Sequence, residues 1–313
     1  MQSEGRGAVN EVGLDHYRRL VDGLRARGIE PVVTLYHWDL PQALQDRGGW
    51  TNRDTAGRFE DYAGIVAAAP GDRVTHWITL NEPWVSAFVG HAKGEHAPGL
   101  RDPRASVLAA RHLLASHGLA ARGIAETAGP SAQTGITLNL SPVVPVSGSL
   151  ENAVAARRVD EHLNRWFLDP VLLGSYPDDV LEEYVRLVGG DFRQAGDLEL
   201  IRADVDFLGV NYYARRRVAA PSRPPDGPAS EFSYSGWLGV DECPRTDEWA
   251  DGYSQRFGIV YVDYRTKARI PKQSAYRYRD VIAANAVDGL PDVPGGWRDA
   301  LPYGASRSRL SPS

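Results

Sequence analysis

The 313 residues carry 35 Lys and Arg against 40 Asp and Glu, a formal charge of -5, with 42% hydrophobic and 24% charged residues. That composition suits a globular protein with room for one large α/β domain or two smaller ones, and its scattered basic residues exclude the electrostatic footprint of a nucleic-acid binder. A lone cysteine, Cys243, excludes an internal disulfide and a cysteine-based metal site, and no 18-residue apolar run or signal-like start occurs, so a cytoplasmic place and no membrane association are expected.

The first predicted element starts at Asn10, a capping residue, where Tyr17, Leu20, Val21 and Leu24 follow helical spacing and Gly28 supplies a stop. The β-branched run "EPVVTLYHW" comes next, too continuous for a half-exposed strand, and predicts burial on both faces as in a parallel sheet. Phe59, Tyr62, Ala63 and Val66 mark another helix, "RVTHWITLN" a second strand, residues 105 to 125 a long helix and "TGITLNL" a third strand. Residues 151 to 168 and 178 to 187 read as helices, and "VDFLGVNYY" as a fourth strand. Strands alternating with helices imply a parallel sheet, doubly wound or closed as a barrel. Past Tyr213 the Pro- and Ser-rich "APSRPPDGPAS" opens an irregular region over 214–247. One domain is expected over 1–287, ending in "RFGIVYVDY" and a helix near 274–284, with 288–313 as a disordered tail.

Polar groups finish three of the four strands: His37 and Trp38, then Asn81 and Glu82, then Asn211 and Tyr213. The carboxyl ends of parallel strands face the ligand in α/β folds. Amide, imidazole, phenol and carboxylate groups suit sugar hydroxyls, and the indoles of Trp38 and Trp84 suit the apolar face of a pyranose. Glu82, delivered by an apolar strand beside an Asn and two indoles, has the setting of a desolvated glycosidic acid, which must be protonated to assist a leaving oxygen. His112 and His117 share a helix with Leu113 and Leu114 and read as packing residues. His91 and His96 lack a third ligand nearby, so no metal and no cofactor is expected.

The blocks "TLYHWDLPQAL", "WITLNEPW", "GEHAPG", "NRWFLDPVLLGSYPDDV", "LGVNYY" and "EWADGYSQRFGIVYVDY" resemble, in order, those of family 1 glycoside hydrolases, the β-glucosidase family. The resemblance implies an α/β fold of the (β/α)8 TIM-barrel type, present in part: strands three to six, four of eight. It implies a retaining hydrolase of carbohydrate metabolism acting on terminal β-D-glucosyl or related residues, with a small β-glycoside or oligosaccharide as partner. Glu82 in the Asn-Glu-Pro motif takes the acid/base role. Asn81 is implied near the 2-hydroxyl, His37 and Trp38 on the 3-hydroxyl side, Glu248 and Trp249 at the 4- and 6-hydroxyls, and Tyr213 beside the nucleophile. Glu248 also favours an unphosphorylated sugar by charge.

The family's nucleophile motif, Thr-Glu-Asn-Gly, does not occur in the chain, and the first two strands, the seventh and most of the eighth are expected to be lacking. Retention requires two carboxyls about 5 to 5.5 Å apart, and Glu95, Glu242 and Glu248 are the candidates for a substitute. The alternative expectation is an inactive remnant that binds sugar weakly. An open four-stranded sheet is expected to expose its two edges and its inner apolar face, and so to be marginal or aggregation-prone.

Overall fold

A computed structural model describes residues 2–221, 241–242, 259–263 and 265–284. The chain divides into two compact units, Met1–Arg245 and Thr246–Ser313.

In the first unit, helix α1 (Glu11–Arg25) starts where Asn10 accepts a hydrogen bond from the Gly13 amide, and Gly28 follows its end at φ 70°. Four strands come from the four apolar runs: β1 (Val32–Tyr36), β2 (His76–Asn81), β3 (Gln133–Asn139) and β5 (Phe207–Asn211). They form one all-parallel sheet in the order β1-β2-β3-β5. Parallel order in one sheet sends every strand's carboxyl end to the same edge, which carries Tyr36, Asn81, Asn139 and Asn211.

Burial on both faces holds for β2 and β3 but not for β1, whose Val32 is 57% exposed while Leu35 and Tyr36 are buried. The reason is position, because β1 has a strand on one side only among the described residues. Between α1, β1 and helix α3 (Asp54–Ala68) lies a cavity of about 690 Å3, lined by Leu14, Tyr17, Val21, Val33, Leu35 and Phe59 among others.

Helix α4 (Pro103–Thr127) is the core of the layer outside the sheet. Asp102 caps it, accepting from the Arg104 and Ala105 amides, and Pro103 supplies a first-turn φ that needs no amide partner. Its buried face presents Leu113, Leu114 and Ile124 to a core shared with Trp77, Leu80, Phe88, Ile136, Leu138, Trp166 and Tyr184. Gly118 lets helix α8 (Asp197–Ile201) approach so closely that an added Cβ would lie 1.9 Å from the Leu200 carbonyl oxygen. Asp197 anchors the same contact, accepting from Arg111 at 2.7 Å and Arg53 at 2.8 Å. Burial opposes its ionisation, but the two guanidiniums prevail and hold its carboxyl below the usual range.

The helix expected over 151–168 is broken into α5 (Leu150–Asp160), a π-helical turn Glu161–Arg165 and α6 (Trp166–Leu172), while α7 spans Asp178–Val188. The stretch expected to be irregular contains two short strands, β6 (Arg216–Ala219) and β7 (Asp241–Glu242), which join β4 (Val143–Pro145) in a sheet of order β4-β6-β7. Arg216 and Val218 are buried and Arg217 is exposed, a two-residue alternation too short to stand out in sequence.

The second unit has a described hairpin of β8 (Val260–Val262) and β9 (Arg269–Pro271), whose turn is tied by Asp263 accepting from Arg265 and Thr266, then a helix Gln273–Ala284. The tail expected to be disordered, 288–313, lies outside the described residues.

Candidate active site

Strands β1, β2 and β5 end at the same carboxyl edge of the sheet, with β3 between β2 and β5, and side chains at their ends form one hydrogen-bonded group. Asn211 donates through Nδ2 to Glu82 Oε1 at 2.6 Å and to Asn81 Oδ1 at 3.1 Å. Asn81 in turn donates through its own Nδ2 to His37 Nε2 at 3.2 Å. Trp38 closes the group from the other side, its indole N–H donating to the Asn81 carbonyl at 2.9 Å.

Backbone geometry explains how Glu82 is aimed. The β2–β3 register changes between Ile78 and Asn81: Ile78 faces Gly135 but Asn81 faces Thr137, so β2 holds one extra residue. Such a bulge re-aims the residues that follow it. Glu82 then adopts φ 48°, and Trp38, at the tip of the neighbouring strand, adopts φ 80°. A left-handed conformation in a non-glycine residue costs on the order of 1–3 kcal/mol and persists only where its surroundings impose it. The Glu82 amide donates to the Thr137 carbonyl at 2.8 Å, and the Glu82 carbonyl accepts from the amides of Val85 at 2.9 Å and Ser86 at 3.4 Å. Glu82 is 4% exposed and Asn81 7%, whereas His37 is exposed.

Of the residues expected to line a site, His37, Trp38, Asn81, Glu82 and Asn211 are brought together. Tyr213 stands two residues past Asn211 with 42% exposure. Glu248 and Trp249 lie outside the described residues, as does Cys243. Glu95 is exposed in the loop after the π-helical segment Val85–Lys93, and Glu242 belongs to β7.

Trp84 is a correction. Read as a sugar platform, it is instead buried, its indole N–H donating to His162 Nε2 at 3.1 Å, and His162 Nδ1 reaches the Tyr184 hydroxyl at 2.5 Å. The turn at Glu82 sends the next residues inward, so Trp84 faces the core beside Phe88. Burial drives the His162 imidazole down to about 3, helped by Arg216 and Lys93.

Sequence reasoning also missed His96, whose ring stacks on Trp38 at 5.4 Å between centroids and 28° between planes. The one signal for it was its place in "GEHAPG". His91 is buried with Nδ1 donating to the Ser86 carbonyl at 2.8 Å. Among the described residues no cluster of three His, Cys, Asp or Glu side chains is suited to a metal ion, and no helix is long and apolar enough to cross a membrane.

Comparison with known proteins gives the same family from sequence and from shape. The profile described as glycosyl hydrolase family 1 matches residues 2–236 and 232–287. A "Thermostable beta-glucosidase B" from Thermobispora bispora is 40% identical, over 91% of this chain and 74% of its own length. A "Beta-glucosidase A" from Thermotoga maritima is 35% identical, over 91% and 80%. Among solved structures, a Thermotoga maritima beta-glucosidase in complex with glucoimidazole superposes with a TM-score of 0.73 at 32% identity, over 91% of this chain and 81% of that one. A psychrophilic beta-glucosidase from Micrococcus antarcticus superposes with a TM-score of 0.72 at 36% identity, over 90% and 80%. The chain is shorter than these relatives, and its parallel sheet is part of a (β/α)8 barrel.

Proposed function

The chain belongs to glycosyl hydrolase family 1, and from that premise we propose that Glu82 is the acid/base of a retaining, β-glucosidase-type reaction on terminal β-D-glucosyl or related residues. The observation that carries this is the buried Glu82 carboxyl at a strand tip, with Oε1 held by Asn211 at 2.6 Å. As the acid, the Glu82 carboxyl passes its proton to the leaving oxygen. A second carboxylate must bond to C1 as that oxygen leaves, for which Glu95, Glu242 and Glu248 are the candidates, and Glu82 then takes a proton from the water that displaces it. His37 and Asn81 offer polar groups to the glycone hydroxyls, Trp38 an indole face, and Glu248 with Trp249 the 4- and 6-hydroxyl contacts. A small β-glycoside is the partner, and Cys243, the only cysteine, supports a reducing, cytoplasmic setting.

The test is hydrolysis of 4-nitrophenyl β-glucoside by the chain and by Glu82→Gln, in buffer and with added azide, with products assigned by NMR. The variant is expected to lose about 10²- to 10⁴-fold in rate. Turnover of the variant in buffer at the parent rate, or no turnover by the parent in either medium, overturns the reading. The azide product reads the second carboxylate. β-Glucosyl azide requires a covalent glycosyl-enzyme before the C1–N bond forms, whereas α-glucosyl azide means azide displaced the aryloxide directly.

A further inference from the structure

Trp38 lies on the glycone side of the proposed site, yet its polar atom is directed at the protein. The indole N–H donates to the Asn81 carbonyl at 2.9 Å. That carbonyl belongs to the same peptide unit whose N–H, on Glu82, donates to Thr137 at 2.8 Å. One peptide plane is therefore gripped at both ends, by β1 through a side chain and by β3 through its main chain. It is the plane directly before the residue at φ 48°, one position past the bulge in β2. Left-handed backbone in a residue with a Cβ relaxes unless something opposes it, and a planar peptide fixed at its oxygen and its nitrogen cannot rotate to let it relax.

We propose that Trp38 is a positioning residue for Glu82: its indole N–H pins the Asn81–Glu82 peptide and so holds Glu82 in the left-handed turn that brings its carboxyl to Asn211. The proposal deepens the acid/base reading of Glu82 and rests on it for its catalytic consequence, whereas the conformational part stands on geometry alone. The His96 ring stacked on the indole braces the same side chain from the loop.

The test has an arm for each part. For the conformation, Glu82→Gly and Glu82→Ala are made in the parent and in a Trp38→Phe background, and thermal midpoints are compared. Glycine tolerates positive φ and alanine does not. In the parent the glycine variant is expected to melt about 2–4 °C above the alanine variant. In the W38F background that gap is expected to fall by half or more, because the freed peptide lets alanine relax. A gap of equal size in both backgrounds, or no gap in the parent, overturns the proposal. If W38F does not fold, Trp38→Tyr serves as the background.

For catalysis, kcat/KM is measured on an alkyl β-glucoside, whose leaving group needs a proton, and on 2,4-dinitrophenyl β-glucoside, whose leaving group does not. Trp38→Phe is expected to lose about 10- to 100-fold more on the alkyl substrate. Equal losses on both substrates mean that Trp38 serves only to bind sugar, and overturn the proposal. Glu82→Gln run beside it separates the two readings, since equal losses in that variant instead overturn the acid/base role.

Discussion

His117 is fully buried, its Nδ1 2.7 Å from the Thr79 hydroxyl two residues before Asn81. Burial alone pushes its imidazole down to about 4, and burial likewise holds His112 at about 4 and His162 at about 3. A histidine with an ordinary value near 6.5 in the unfolded chain binds its proton there first. The folded state is thus favoured in full above pH 6.5, and that stability drains as pH falls from 6.5 towards 4 and 3. Urea midpoints between pH 7.5 and 4.5 are expected to fall steeply, and His117→Gln to remove about one proton's share, about 1.4 kcal/mol per pH unit. An unchanged slope in the variant removes His117 from this account. The inward role of His112 and His117 was legible, because both flank Leu113 and Leu114 on a helix. His162 was not, since what defines it is Trp84, 78 residues away. Trp84 itself misled because an indole beside a carboxylate has the chemistry of a sugar site whichever way it points.

At the scale of the element, the close contact of α4 with α8 depends on Gly118. Gly118→Ala, driven into the Leu200 carbonyl, is expected to cost about 1–3 kcal/mol through overpacking. Gly57→Ala, inside α3 with nothing within 4 Å of the new methyl, is expected to stabilise by up to about 1 kcal/mol. Denaturant midpoints decide both, and a Gly118→Ala variant as stable as its parent refutes the packing claim. Strand positions were readable because buried parallel strands are continuous apolar runs. The extent of α4 was less so, since Asp102 and Pro103 start it two residues before the expected Ala105. The bulge in β2 was unreadable because register is a relation to β3. The π-helical segment Val85–Lys93 also escaped, since its hydrogen-bond spacing leaves no mark in a 3.6-residue pattern. Gly90 in that segment has its meaning only beside Ala97, whose carbonyl oxygen a Cβ would meet at 2.4 Å.

Over the whole molecule, the six motif blocks made the family and the parallel sheet legible, because a site built on strand ends needs several residues at fixed places in one order. The sheet's two edges, expected to be exposed, carry Val32 on β1 and Val210 on β5 at 57% and 54% exposure. Beside β1, the cavity of about 690 Å3 separates α1 from the sheet over much of its apolar face. The hollow opens to solvent at Tyr17 and Leu20, 54% and 48% exposed, so α1 buries only Leu14 and Val21, whereas α4 is buried along most of its length between α3 and α8. Local opening is drawn from the elements with fewest buried apolar contacts, so α1 should detach from this corner while α4 keeps its place. Native-state hydrogen exchange is expected to release the amides of Glu11–Arg25 well before those of Pro103–Thr127; equal protection of both sets would mean that the hollow carries no such weakness.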